Sequence, residues 1–284
     1  MLQHSFRAMG SEMELYLEST DGAPLLADAE EEFHRVESLL SRFRPDSELS
    51  QLNRLGAMLV GPELLELAQL SLDARERTGG RFDPTVHEAL VATGYDRSFE
   101  LVAVTKRPPG DPPQCSGRIV VDVDASTIAL EPGFRLDLGG IAKGWTADRA
   151  LAVLTKGGPA LVNAGGDIAS AGRPWPIGVD TPDGGLTLEL EDGALATSGR
   201  DRRTWRQGDA ARHHLIDPST GLPSEGDLLS VTTAARTATE AEVLAKSLFL
   251  RGDADAAAAE ADERGVPTVL ITRDGRALLA GGLA

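Results

Sequence analysis

Cysteine is all but missing: Cys115 stands alone in 284 residues. An internal disulfide is excluded, and so is a Cys-rich zinc site. Aromatic residues make up only 4% of the chain, which argues against a base-stacking platform for single strands. Positive charge is also short. There are 28 Lys and Arg against 44 Asp and Glu, for a formal net charge of −16. A field of that sign repels phosphate backbones and anionic membranes, so no nucleic-acid partner is expected. A phosphate-bearing ligand then needs a local basic pocket or a metal ion. No apolar run approaches the ~18 residues of a membrane span. The opening MLQHSFRAMGSEMELYL carries Gln3, His4, Ser5 and Arg7 where a secretory leader would be apolar. A soluble, cytoplasmic protein is the expectation. Also missing are GxGxxG after the first strand, GxxxxGK[ST], HExxH and GxSxG, which removes the Rossmann, P-loop, zincin and nucleophile-elbow readings.

What is present is a mixture of periods. Phe6 to Glu18 alternates as a strand. Leu25 to Leu40 and Pro62 to Thr78 carry apolar residues at helical spacing. Ser47 is a candidate helix cap, and Gly79-Gly80 ends the second helix. Residues 101 to 135 read as short strands around a Pro-rich loop, Arg107 to Gly117, which holds Cys115 as an incidental residue. Thr146 to Leu154 is helical. Ala160 to Val179 reads as two strands joined by the turn NAGGD, and Asp201 to Gly221 as loop-rich, basic at first and then HHLIDPSTG. Helices follow at Thr239 to Leu250 and Ala254 to Glu263, then a last strand and hairpin. Strands and helices mix without strict βαβ alternation. The expected class is α+β, with mixed or antiparallel sheets, packed helices and two interleaved lobes in one domain, 1–284.

The stretch of greatest chemical interest is LDLGGIAKGWTADR, Leu136 to Arg149. An acid, a glycine pair and Lys143 lie together just before a helical pattern. Glycine permits close backbone approach, a helix start offers free N–H groups, and a lysine meets phosphate as a point charge. The alternative is a tight strand-to-helix turn with a surface lysine. NAGGDI brings backbone amides and Asp167 to a turn, or is simply a turn. RFDPTV sets Asp83 before a proline, either as an exposed turn or as a helix cap. TSGRDRR gathers Arg200, Arg202 and Arg203, which suit a pyrophosphate or a solvated loop. In HHLIDPSTG, His214 near an acid suits proton transfer, although a lone histidine is more often structural.

In order across nearly the whole chain, MGSEMEL, SRFRPDSELSQLN, RFDPTV, LDLGGIAKGWTADRA, LVNAGGDIA, ATSG, HHLIDPSTG and EAEVLAKSLFLRG resemble the ApbE family of FAD:protein FMN transferases. The resemblance implies a flavinylation enzyme. It would split FAD at its pyrophosphate, join FMN to a threonine of an acceptor flavoprotein and release AMP. The acceptor would carry a Ser/Thr-Gly-Ala-Thr-like motif, and Mg²⁺ would assist. It further implies that Met9, Phe43 and the Phe82-Asp83-Pro84 turn contact FAD. Asp137 would hold the adenine side, Lys143 would be a charged contact, Ile216 would pack on a ring, and His214 would be the catalytic base. Many relatives have tyrosine where Phe43 stands.

The same resemblance implies a metal held by the Gly140 carbonyl and by an Asp and a Thr four residues apart on a late helix. Here those two positions are Glu242 and Lys246. Glutamate can ligate Mg²⁺; an ammonium has no lone pair and cannot. Glu242 and Lys246 also stand at i and i+4 in the favourable order for an ion pair of about 0.3–0.5 kcal/mol. Three outcomes follow: Lys246 swings out, Lys246 replaces the metal charge, or the pair closes the site. The alternatives to transfer are FAD binding without turnover and FAD hydrolysis to FMN and AMP.

Overall fold

The computed structural model describes residues 1–102, 110–182 and 184–283. The start of the expected Pro-rich loop, Arg107 to Pro109, lies outside the described residues. The chain forms two compact units interleaved in sequence. One comprises Met1–Val36, Ile141–Gly199 and Gly226–Ala284; the other comprises Glu37–Gly140 and Arg200–Glu225.

In the first unit, eight strands make one antiparallel sheet. Their order is Leu2–Ala8, Ser11–Leu17, Ala160–Ala164, Asp167–Ala171, Gly193–Gly199, Leu228–Ala235, Thr268–Thr272 and Ala277–Ala280. The expected single strand at Phe6 to Glu18 is a hairpin instead. Ala8 pairs with Ser11, so Met9 and Gly10 form a two-residue turn with φ of 51° and 67°. Positive φ at both central positions matches the twist of the flanking strands. Alternation continues on both sides of so short a turn, which hid the break. The expected strand pair across Ala160 to Val179 is three strands, the third being Trp175–Val179.

Period-two alternation puts Ala160, Val162 and Ala164 on one face and Leu161 on the other. The first face packs against helices Ala142–Leu154 and Ala238–Phe249 through alanines: Ala147, Ala150, Ala241 and Ala245 meet Ala169 and Ala194. Small side chains let the backbones approach. A Cβ on Gly144 would stand 2.4 Å from the carbonyl oxygen of Ala238, so only glycine fits where these two helices meet. The opposite face lies under the hairpin Trp175–Val179/Leu186–Leu190, with Leu161, Ile177 and Leu195 buried there.

The second unit holds helices Glu48–Leu55, Pro62–Arg77 and His87–Ala92. Its three-stranded sheet runs Ala57–Leu59, Thr127–Leu130, Ile119–Asp122. Ser47 caps its helix as expected, its hydroxyl accepting from the Ser50 amide at 3.0 Å. The stretch expected to be loop-rich, Asp201 to Gly221, forms most of two small hairpins, Thr204–Gln207/Ala210–His213 and Ile216–Asp217/Leu222–Pro223. Strands of two to four residues are too short for a period to register.

Candidate functional site

In the first unit, the helix after the glycine pair begins at Ala142, four residues before the expected start. Lys143 therefore sits in its first turn. It is not a surface lysine: its side chain is 15% exposed. Its ammonium donates to Asp167 Oδ2 and, at 2.8 Å, to Glu242 Oε1. The other oxygen of Glu242 accepts from the Gly144 amide at 3.0 Å. The sequence offers Lys246 as the partner of Glu242; the structure gives its oxygens to Lys143 and Gly144, on a different helix.

A reciprocal arrangement fixes the two helices. Asp148, on the Lys143 helix, accepts from the amides of Ala238 and Thr239 at 2.7 and 3.0 Å and from the Thr239 hydroxyl at 2.6 Å. Each helix thus places an acid on the other's N-terminal amides, where unsatisfied N–H groups and the helix dipole favour negative charge. Burial works against the charged form of Lys143, but the fields of Asp167 and Glu242 outweigh it and hold its pKa above the usual lysine value. Burial, and then the charge of Glu242, push the Asp167 carboxyl above the usual carboxylate range; Lys143 and Lys246 oppose that shift. Lys246 is therefore close enough for its charge to be felt at Asp167. Met9 lies in the strand turn, half-buried against the alanine-rich core.

The second unit holds the other candidates. Asp137 is buried, and both its oxygens are engaged: Oδ1 accepts from the Gly139 amide at 2.8 Å and Oδ2 pairs with Arg42 Nε at 2.7 Å. Its own amide donates to the Pro84 carbonyl at 2.8 Å. Arg42 donates to the Tyr95 carbonyl and lies 4.2 Å from the Phe43 ring centroid. Sequence reasoning missed Arg42. The available signal was the acid in LDLGG, because a buried carboxylate demands a cation.

Phe82, Asp83 and Pro84 are all buried. Asp83 accepts from the Thr85 amide and hydroxyl at 2.8 and 2.7 Å and from Ser116 at 2.9 Å, with Arg75 at 3.4 Å. It is a local knot and not a helix cap, since the residue before the His87–Ala92 helix is Val86. Gly140 is the last residue of this unit's first segment.

One group of aromatics gathers in this unit. Phe43 and Trp205 both flank Tyr95, with ring centroids 5.6 and 5.4 Å away, and Ile216 joins the same buried cluster. The two adjacent histidines divide. His213 is buried, its Nδ1 accepting from the Leu215 amide, so Nε2 carries the proton and donates to the Ser224 carbonyl at 2.9 Å. Burial pushes its pKa down to about 4. His214, one step along the strand end, is only partly buried. Burial pushes the Cys115 thiol up to about 12, which leaves it unreactive near neutral pH.

Within the first unit the structure thus joins Lys143 and Glu242, with Lys246 nearby and Asp167 and Asp148 added. Within the second it joins Asp137 to Phe43 through Arg42 and to Pro84 through the backbone, and Phe43 to Ile216. Among the described residues, no helix is long and apolar enough to cross a membrane.

The model of the ApbE family matches residues 9–270. The FAD:protein FMN transferase of Treponema pallidum is 31% identical, covering 87% of this chain and 76% of its own. That of Vibrio cholerae is 28% identical, covering 90% and 82%. The crystal structure of an ApbE protein from Thermotoga maritima superposes with a TM-score of 0.88 at 25% identity, over 98% of this chain and 96% of that one. With the family model running through the glycine-lysine turn, the histidine pair and the Glu242 helix alike, the chain belongs to the ApbE family.

Proposed function

We propose that the whole chain, 1–284, acts as one FAD:protein FMN transferase domain. It takes FAD as substrate, joins FMN to a threonine of an acceptor flavoprotein carrying a Ser/Thr-Gly-Ala-Thr-like motif, and releases AMP. The observation that carries this reading is the family match over residues 9–270, which includes every candidate residue. The single cysteine is in keeping with a reducing, cytoplasmic setting.

In the reaction, the threonine oxygen bonds to the phosphorus of the FMN half. The bond from that phosphorus to the bridging oxygen breaks, and AMP leaves with the bridging oxygen. The threonine proton passes to His214, whose imidazole is only partly buried and can accept it. Little covalent work falls to the protein, so rate comes from positioning and from positive charge facing the diphosphate. Met9, Phe43, Ile216 and the Phe82-Asp83-Pro84 backbone would hold FAD. Asp137, whose oxygens already bind Arg42 and the Gly139 amide, would position the glycine turn rather than grip the ligand itself.

The divalent cation of the family does not fit the residues at its expected place. Both oxygens of Glu242 are occupied by Lys143 and Gly144, and Lys246 offers no lone pair. Among the described residues, no cluster of three acidic, histidine or cysteine side chains stands ready for a metal. No step is therefore assigned to one.

The test is incubation with FAD and a domain bearing the acceptor motif, read by in-gel flavin fluorescence and AMP release. A fluorescent acceptor with stoichiometric AMP is expected. AMP without labelling would make the protein an FAD hydrolase, and a yellow protein without AMP would make it an FAD-binding protein.

A further inference from the structure

Two carboxylates, Asp167 and Glu242, lie buried beside each other in the first unit. Buried charge of one sign must be neutralised. The chain does this itself. Lys143 bonds both acids, and Lys246 adds a second positive charge felt at Asp167. Two carboxylates and two ammonium groups sum to zero. A divalent ion added to this group would leave two uncompensated positive charges in a buried place, which is costly. It would also find no good ligand. One oxygen of Glu242 is on the lysine and the other on the Gly144 amide. Asp148, the next acid along, is engaged on two amides and a hydroxyl of the facing helix. The helices cannot easily slide to free these groups, because Gly144 and Ala238 are already in backbone contact.

We propose that Lys143 and Lys246 replace the divalent cation in this chain, so that the protein binds the diphosphate of FAD without metal. The choice of FAD rests on the function proposed above; the claim that the cluster excludes a divalent ion does not. Glutamate is the enabling substitution. Its extra methylene lets one carboxylate reach both the lysine on the facing helix and the Gly144 amide. Lys246, one turn further on, then supplies a permanent charge where a hydroxyl ligand would supply none.

Two measurements test this on the full chain. The first is Mn²⁺ titration followed by EPR, which reads the free aquo ion directly. Wild type is expected to leave millimolar Mn²⁺ free. The double variant Glu242→Asp/Lys246→Thr, checked for folding by circular dichroism, is expected to take up one ion. Stoichiometric uptake by wild type would overturn the proposal. If the variant does not fold, the wild-type titration decides alone. The second is FAD affinity by flavin fluorescence in EDTA and in Mg²⁺. A change of less than about twofold is expected, and a loss of about tenfold or more on chelation (~1.4 kcal/mol) would overturn it. Failure to bind FAD under either condition would reject the transferase reading, while the Mn²⁺ titration would still decide the metal question.

Discussion

The two units neutralise buried acids in different ways. In the first, Lys143 lies between Asp167 and Glu242 and every partner is a charged or backbone group on regular structure. In the second, the Asp137–Arg42 pair is set among rings, with Arg42 against both Phe43 and Tyr95. A lysine is a compact point charge and suits a diphosphate or its substitute. An arginine is planar and stacks, so it joins an ion pair to an apolar wall. One unit thus holds its buried acids in a charged cluster, and the other sets its ion pair against rings.

Removing the cation from each cluster should separate them most strongly. Lys143→Met strands two buried carboxylates and is expected to cost about 3–5 kcal/mol of unfolding free energy. Arg42→Met strands one acid that keeps its bond to the Gly139 amide, with an expected cost of about 2–3 kcal/mol. Urea unfolding of both variants measures the difference, and an equal or reversed order would break the contrast.

A second test uses pH. His213 is held neutral, with its pKa pushed down to about 4, against ~6.5 in an unfolded chain. Between these values the unfolded state binds a proton that the folded state does not. Stability present above pH ~6.5 is therefore lost as pH falls toward 4, by ~3 kcal/mol at most. His213→Gln, which keeps a donor for the Ser224 carbonyl, should flatten that part of the profile. A variant profile parallel to wild type would mean that His213 does not set the acid limb of the stability curve.

The smallest effect concerns Met9. A methionine at φ of 51° in a two-residue hairpin turn is a strained choice where asparagine is preferred. Met9→Asn should raise stability by about 1 kcal/mol in thermal unfolding while weakening FAD binding. A gain in both would mean that the methionine does not serve the ligand.

Much of this was legible in the sequence where one residue type dictates local geometry. Ser47 as a cap, Pro62 opening a helix and Gly79-Gly80 closing it all follow from backbone chemistry within a few positions. So did the α+β class, from mixed periods. What could not be read was long-range. The partner of Glu242 is 99 positions away, not four, and Asp148 meets residues some 90 positions on. No local period encodes such pairs. Aromatic content of 4% likewise gave no hint that Phe43, Tyr95 and Trp205 meet, because composition averages over the chain and folding does not. The short hairpins around His213 and His214 were invisible for a third reason: two to four residues cannot display an alternation.

On the proposal above, this chain cleaves the diphosphate of FAD without a divalent ion. Phosphorus-31 NMR of FAD mixed with the protein and a motif-bearing acceptor, in excess EDTA, tests it directly. Loss of the paired pyrophosphate resonances is expected, with AMP and a phosphodiester on the acceptor appearing in equal amounts. Pyrophosphate signals that persist in EDTA and disappear only on adding Mg²⁺ would contradict it.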